Sequence, residues 1–433
     1  MKKLLIISPR FPPVNAADHH RVRTALPYMR EFGWEPHVLA VDPDFIPNER
    51  DPLLEKSLPR SLPLTRCAAL SERATRPFGI TSLALRCYRG MKRAGEGLLA
   101  SGNYDLVFFS TTEFPVFALG AGWKEKFGVP FVIDLQDPWV SDYHSKGKAM
   151  PPGGRLKYES MQALAKYLEP RTLRACAGVV TVSPSYPEML AQRYGWFDKN
   201  KCAVLPFAAS ENDFALLAES TVMLPDCVSA WKGTRWVYVG RGGEDMAFSV
   251  RAFMTALARA RRSEPERWNR LRIYFIGTDY APGARARRSI LPVAESCGVS
   301  DLVIEEAERI PYFQALAVLQ AADALVVPGS DDPGYTASKI YPYVQSKKPL
   351  LGIFHERSSV LPLLEKTHAG IAVPFAETTK AESDRVSQVI AEKWFNGGHS
   401  RPPETDWAAF APYTAKEMTR ILCSTFDKMA GCA

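Results

Sequence analysis

Three short stretches of this chain combine residue types and spacings that could do chemistry. In VYVGRGGEDM, residues 237–246, an apolar run ends in Gly240, Arg241, Gly242 and Gly243 and leads toward a helical pattern. Such a turn can aim backbone N–H groups at a helix start, and Arg241 adds a cation, so the expected occupant is a phosphate or diphosphate. In LVVPGSDDPGYTASKIYPYVQSKKPLLGIF, residues 325–354, a second apolar run ends in a Gly-Ser-Asp-Asp-Pro-Gly loop, after which Tyr335, Thr336, Ser338 and Lys339 stand where a helix is expected to begin. Hydroxyls, amide donors and an ammonium gathered beyond a strand again suit an anion. In IDLQDPW, residues 133–139, Asp134 closes a strand and Asp137 lies just past it, while Glu113 in STTEFP follows the preceding strand. A carboxylate placed there can take a proton from a hydroxyl; it can equally cap the next helix.

The opening LLIISPRFPPVNAADHHRVRTALPYM, residues 4–29, has the strand–loop–helix layout of a nucleotide cradle but contains no glycine. It is not a dinucleotide cradle. Its polar residues Asn15, His19, His20 and Arg21 are better read as one wall of a site for hydroxyls or a lipid phosphate. Adjacent histidines point to opposite sides, so one of the pair at most is expected to face it.

The elements that must position these residues follow an alternating pattern. Strands are expected at 3–8, 36–41, 104–110, 130–134, 178–182 and 202–206, with helices near 19–32, 81–101, 114–127, 155–175 and 185–194. Continuous apolar runs such as DLVFFS and GVVTVS suit strands covered on both faces. After a looser stretch at 207–233 the pattern restarts with RWVYVG, and further strands are expected at 271–276, 323–327, 349–353 and 369–373. Val250, Phe253, Met254 and Leu257 fall on one face of the helix that follows the glycine turn. The reading is α/β, with two Rossmann-like, doubly wound parallel sheets facing a cleft. The expected domains are 1–212, a linker at 213–233, a second domain at 234–402, and a last helix within 403–433 that packs back on the first domain.

Composition narrows the classes. The chain has 433 residues, 46% hydrophobic and 23% charged, enough for two cores, and no apolar run approaches the length needed to cross a bilayer. The start, MKKLLIISPR, is interrupted after four apolar residues, so it reads as a first strand and not a targeting segment, and the protein is expected in the cytoplasm. Cysteines at 67, 87, 176, 202, 227, 297, 423 and 432 form no CxxC, against a disulfide framework and against a zinc site. No metal and no cofactor is expected. The net charge of +7 is concentrated: residues 57–93 carry eight basic residues against Glu72 alone, interleaved with Phe78, Ile80, Tyr88 and leucines. Both a solvated basic face and contact with an anionic membrane at the inner face of the plasma membrane fit this segment. No nucleic-acid motif accompanies it.

Taken in order, FPP with its loop, VPFVIDLQDPW, VVTVSPSYPEML, VYVGRGGED, AERIPYFQALAVLQAADALVVPG and YTASKIYPY resemble glycosyltransferases of the GT-B fold. They are most similar to bacterial members of family four that build polysaccharides and lipid-linked glycans. The resemblance implies an acceptor-binding first domain, a second domain that binds a nucleotide-diphosphate sugar, and no metal. It implies that Gly240, Arg241, Gly242 and Gly243 wrap the donor diphosphate, that Ser338 and Lys339 grip it from the other side, that Tyr335 belongs to the same donor site, and that Tyr312 in RIPY lies along the base. Asp137, with Glu113 in reserve, would act as the base of an inverting enzyme or position the acceptor of a retaining one. The family's Glu-x7-Glu pattern is absent, with Gly334 and Pro342 in its place. A UDP-sugar 2-epimerase of the same fold and a non-catalytic glycan-binding descendant are the alternatives.

Overall fold

The computed structural model describes residues 1–140, 155–279, 281, 286–333, 335, 337 and 339–431. These form two compact units, Met1–Phe207 together with Ala415–Ala433, and Ala208–Thr414.

The first unit is built on a seven-stranded, wholly parallel sheet. Its strands are β1 (Lys2–Ile7), β2 (Trp34–Val41), β3 (Leu64–Cys67), β4 (Leu106–Ser110), β5 (Phe131–Leu135), β6 (Gly178–Thr181) and β7 (Cys202–Val204), in the spatial order β3-β2-β1-β4-β5-β6-β7. The inner strands β4, β5 and β6 are buried along their length because both faces are covered, as the continuous apolar runs require. On one face Phe109 stacks on Trp123 at 5.7 Å and meets Phe117 and Phe131 edge-on. On the opposite face Phe108 meets Phe426 of the helix Ala415–Ala430 at 4.8 Å. That helix is seated closely: a Cβ on Gly178 would fall 2.1 Å from the Met429 side chain, so β6 carries a residue without one.

The second unit repeats the design with six parallel strands: β8 (Thr234–Val239), β9 (Leu271–Ile276), β10 (Val303–Glu306), β11 (Ala324–Pro328), β12 (Leu350–His355) and β13 (Ile371–Phe375), ordered β10-β9-β8-β11-β12-β13. Its core gathers around Trp236, whose ring lies 5.4–5.8 Å from those of Trp268, Trp394 and Phe395. Val250, Phe253, Met254 and Leu257 of the helix Ala247–Ser263 are buried along one face, as their spacing requires.

Three local expectations change. Two strands, β3 and β10, were not anticipated. The helix expected over 19–32 stops at Ala25, two residues before Pro27. The last helix, expected as one piece, is two: Trp407–Phe410 belongs to the second unit and Ala415–Ala430 to the first, with Pro412 in the break between them.

Candidate functional site

Both sheets reverse their winding at an inner strand, β1 in the first unit and β8 in the second, and ligands of open α/β sheets bind beyond the strand ends at such points. The residues singled out above collect at these two places.

In the first unit the loop after β1 meets the ends of β4 and β5 through a network of acids. Asp18 is buried and accepts from Thr111 Oγ1 at 2.8 Å and from the Thr112 N–H at 3.3 Å, with the Arg10 guanidinium 3.6 Å away. Arg10 also pairs with Glu113, whose other oxygen accepts the Ala84 N–H at 2.8 Å. Burial raises the Glu113 pKa despite the Arg10 charge. Glu113 is therefore an anchor, tied to Arg10 and to the start of the helix Leu83–Ser101.

Asp137 differs from both. Its side chain is exposed by area, yet protein crowds it enough that desolvation, and then the Asp18 charge, push its pKa up to about 6. No hydrogen bond from another side chain holds this carboxylate among the described residues.

The expected wall at the opening loop is largely structural. His19 is buried, with Nε2 3.0 Å from the Val14 carbonyl, and burial followed by the Arg23 charge lowers its pKa to about 4, so it is neutral. Half-buried His20 lies beside Arg23, with Nδ1 3.3 Å from its guanidinium, and burial lowers its pKa too. Arg21 is fully buried: Nε donates to Asp134 at 2.8 Å and Nη2 to the Leu205 carbonyl at 2.7 Å, and the guanidinium lies over Phe207. Asp134 also accepts from Ser110 Oγ and Gln136 Nε2. His19 and Arg21 are thus corrected from ligand contacts to supports. Of the four residues, Asn15 is half-buried and its N–H bonds the Glu49 carbonyl.

In the second unit the glycine turn after β8 is present, but its amides are not free for a ligand. The N–H groups of Gly240 and Gly242 donate to the carbonyls of Ile276 and Thr278, and that of Gly243 to Ser289 Oγ. The glycines are needed for packing: a Cβ on Gly242 would lie 2.2 Å from Ser289 Oγ, and Gly243 has φ +147°. Arg241 is likewise held, pairing with Asp245 at 2.6 and 3.0 Å and lying 4.6 Å from the centre of the Tyr335 ring. Burial would raise the Asp245 pKa, but the bonds from Arg241 and Ser330 bring it below the ordinary carboxylate value. Expected amide donors are therefore replaced by an anchored guanidinium.

Lys339 stands at the N-cap position of the helix Ile340–Gln345, without a capping bond from its side chain. It is exposed by area yet crowded by protein, and its ammonium is pushed down to about 7, first by desolvation and then by Arg309 and Arg241. Positive charge from Arg309, after β10, and Arg241, after β8, is thus felt at Lys339, after β11. Tyr312 donates its hydroxyl to Asp213 at 2.8 Å, with its ring edge-on to Phe313. Ser338 lies outside the described residues, as do Thr336 and Gly334.

Arg10, Gln136 and Asp245 were not assigned roles from sequence. Asp245 carries a usable signal, four residues after Arg241. The others come from separate loops with no common spacing.

Comparison with known proteins fits this geometry. Residues 20–208 match the family model described as Glycosyltransferase Family 4. Over the whole length the structure is similar to a glycosyltransferase from Rickettsia africae, with TM-score 0.57 and 13% identity, covering 99% of this chain and 98% of that one. HepE from Anabaena, solved with UDP and glucose, gives TM-score 0.58 and 14% identity, covering 99% of this chain and 100% of that one. This is the GT-B fold of glycosyltransferases. WaaG, a glycosyltransferase involved in lipopolysaccharide biosynthesis, matches the same GT-B architecture with TM-score 0.54 and 12% identity, covering 99% of each chain. No curated protein sequence matches the chain.

Proposed function

We propose that this GT-B protein transfers a sugar from a nucleotide-diphosphate sugar to a glycan or lipid-linked acceptor in cell-surface polysaccharide synthesis, without a metal or other cofactor. The observation that carries the reading is the Arg241 guanidinium held beyond the switch strand of the second sheet by Asp245 at 2.6 Å and by the Tyr335 ring, with its charge and that of Arg309 felt at Lys339. An ammonium at Lys339 that feels the charge of Arg309 and of the Asp245-paired Arg241 is stabilised by an anion, and a departing nucleoside diphosphate gains negative charge as the sugar leaves. Positive charge from side chains does there what a divalent metal would otherwise do. HepE, solved with UDP and glucose, and WaaG, of lipopolysaccharide biosynthesis, support the donor and pathway assignments.

In this reading Asp137 meets the acceptor hydroxyl. A carboxyl with pKa about 6 is ionised at neutral pH yet basic enough to accept a proton or a strong hydrogen bond. Arg10, Asp18 and Glu113 fix the loops around it.

The test is thermal stability with UDP- and GDP-sugars, followed by product analysis. A nucleotide that raises the melting temperature of the wild type, but not of Lys339→Ala, supports the donor site. Sugar transfer to a glycan or lipid-linked acceptor supports the full assignment. An epimerised nucleotide sugar formed without acceptor, or no stabilisation by any nucleotide, would refute it.

A further inference from the structure

An arginine side chain carries five N–H donors in one rigid plane, and the turn around Arg241 already takes three of them. Nη1 donates to Asp245 Oδ1 at 3.0 Å and to the Gly242 carbonyl at 3.3 Å, while Nη2 donates to Asp245 Oδ2 at 2.6 Å. The carboxylate thus covers the end of the fork. What is left is its side, the Nε–H and the second Nη2 hydrogen, which run parallel and bond nothing among the described residues. The plane is held against the Tyr335 ring, and the main chain beneath it is fixed by Tyr238, whose hydroxyl donates to the Arg241 carbonyl at 2.9 Å. A parallel N–H pair of this kind matches two oxygens of one phosphate.

Asp245 can set that orientation because it is itself held. It lies in the turn Glu244–Met246, ahead of the helix Ala247–Ser263. Ser330 donates to its carboxylate, and the Asp331 N–H donates to its carbonyl at 2.8 Å, so the loop after β11 fixes both its side chain and its main chain. Ser249 Oγ, one turn further on, fastens the same loop by donating to the Gly329 carbonyl at 2.6 Å. A carboxylate beside an anion site opposes binding by its charge. Resting on the donor reading of this site, we propose that Asp245 is a positioning residue: without touching the substrate, it turns the Nε–Nη2 edge of Arg241 toward one phosphate of the diphosphate.

The experiment is calorimetric titration of inorganic pyrophosphate, and of UDP and GDP, into the full-length wild type, Arg241→Met, Asp245→Asn and the double variant, each checked by circular dichroism. Asparagine keeps the shape of the side chain and the bond from Ser330 but loses the charge that pairs the guanidinium. Arg241→Met should bind pyrophosphate roughly a hundredfold more weakly than the wild type, and Asp245→Asn roughly tenfold more weakly even though it removes a negative charge. The double variant should bind no more weakly than Arg241→Met, because Asp245 acts through the guanidinium. Glu244→Gln, which removes a negative charge from the same turn, should lose no affinity. Ser330→Ala, a milder change that releases the carboxylate on one side, should bind a few-fold more weakly, and only while Arg241 is present. Equal or tighter binding by Asp245→Asn, losses that multiply in the double variant, or no binding of pyrophosphate by the wild type would overturn the proposal. The expected pyrophosphate pattern without binding of UDP or GDP would support the aiming of Arg241 by Asp245 and refute the nucleotide-sugar reading.

Discussion

The two units use one scaffold for opposite electrostatics. In each, the strand order places the first strand between the second and fourth of that sheet, and the functional loops leave at that reversal. Beyond β1 the loops bring acids together, with Asp18 and Glu113 paired to Arg10 and Asp137 close enough to feel the Asp18 charge. Beyond β8 they bring cations together, with Asp245 and the Tyr335 ring holding Arg241 in place. The sheets set where ligands meet the protein, and the loops decide which charge they meet. In the account above, the acidic end handles a hydroxyl and the basic end a diphosphate.

The largest expected effect breaks the basic end. Lys339→Met should lower kcat/KM for the nucleotide sugar on the order of a thousandfold, since an ammonium facing a leaving diphosphate acts mainly in the transition state. Steady-state kinetics at saturating acceptor checks this, and a melting temperature within a degree or so of wild type separates it from misfolding.

Next in size is a change at the acidic end that should not touch catalysis directly. Arg21→Met leaves Asp134 buried without its ion pair and is expected to cost about 3–5 kcal/mol of stability. Denaturant unfolding measures it. If stability holds and only acceptor KM rises, Arg21 belongs to the site after all.

Asp137→Asn sharpens the contrast. It should reduce kcat about a hundredfold while stability at pH 7.5 stays equal or rises. The sign follows from linkage: a carboxyl whose pKa is raised to about 6 is easier to protonate folded than unfolded, so its ionised form costs stability above that pH. In the wild type, activity should appear as pH rises through about 6 and fade below it, and the pH–rate profile of the variant should lack that limb.

Much of the fold was legible because inner strands of a doubly covered sheet are continuous apolar runs. The two missed strands, LTRC and VIEE, occupy the same outer edge in their respective sheets. An edge strand needs only partial burial, so its sequence carries polar residues and little periodicity. Pro412 was visible, but an apolar pattern on both sides of it favoured one helix over the two observed.

The sites were legible to different degrees. Asp137, two residues past β5, and Lys339, directly before the helix Ile340–Gln345, could be singled out by position as the proposed acceptor- and donor-side groups. The roles of the glycines could not, since Gly242 serves Ser289 and not a ligand, and only coordinates show which amides are occupied. Histidines in a polar loop likewise look like ligands until burial is known, and His19 is a support.

The most direct test of the central claim is calorimetric titration of UDP and GDP into the wild type and Lys339→Met, in buffers of different ionisation heat at pH 7. A diphosphate lodged among Arg241, Arg309 and Lys339 should restore the ammonium, with uptake of about half a proton at that pH, weaker binding as pH rises further, and no uptake in the variant. Binding with no proton uptake and undiminished affinity in Lys339→Met, or no binding of either nucleotide, would contradict the account.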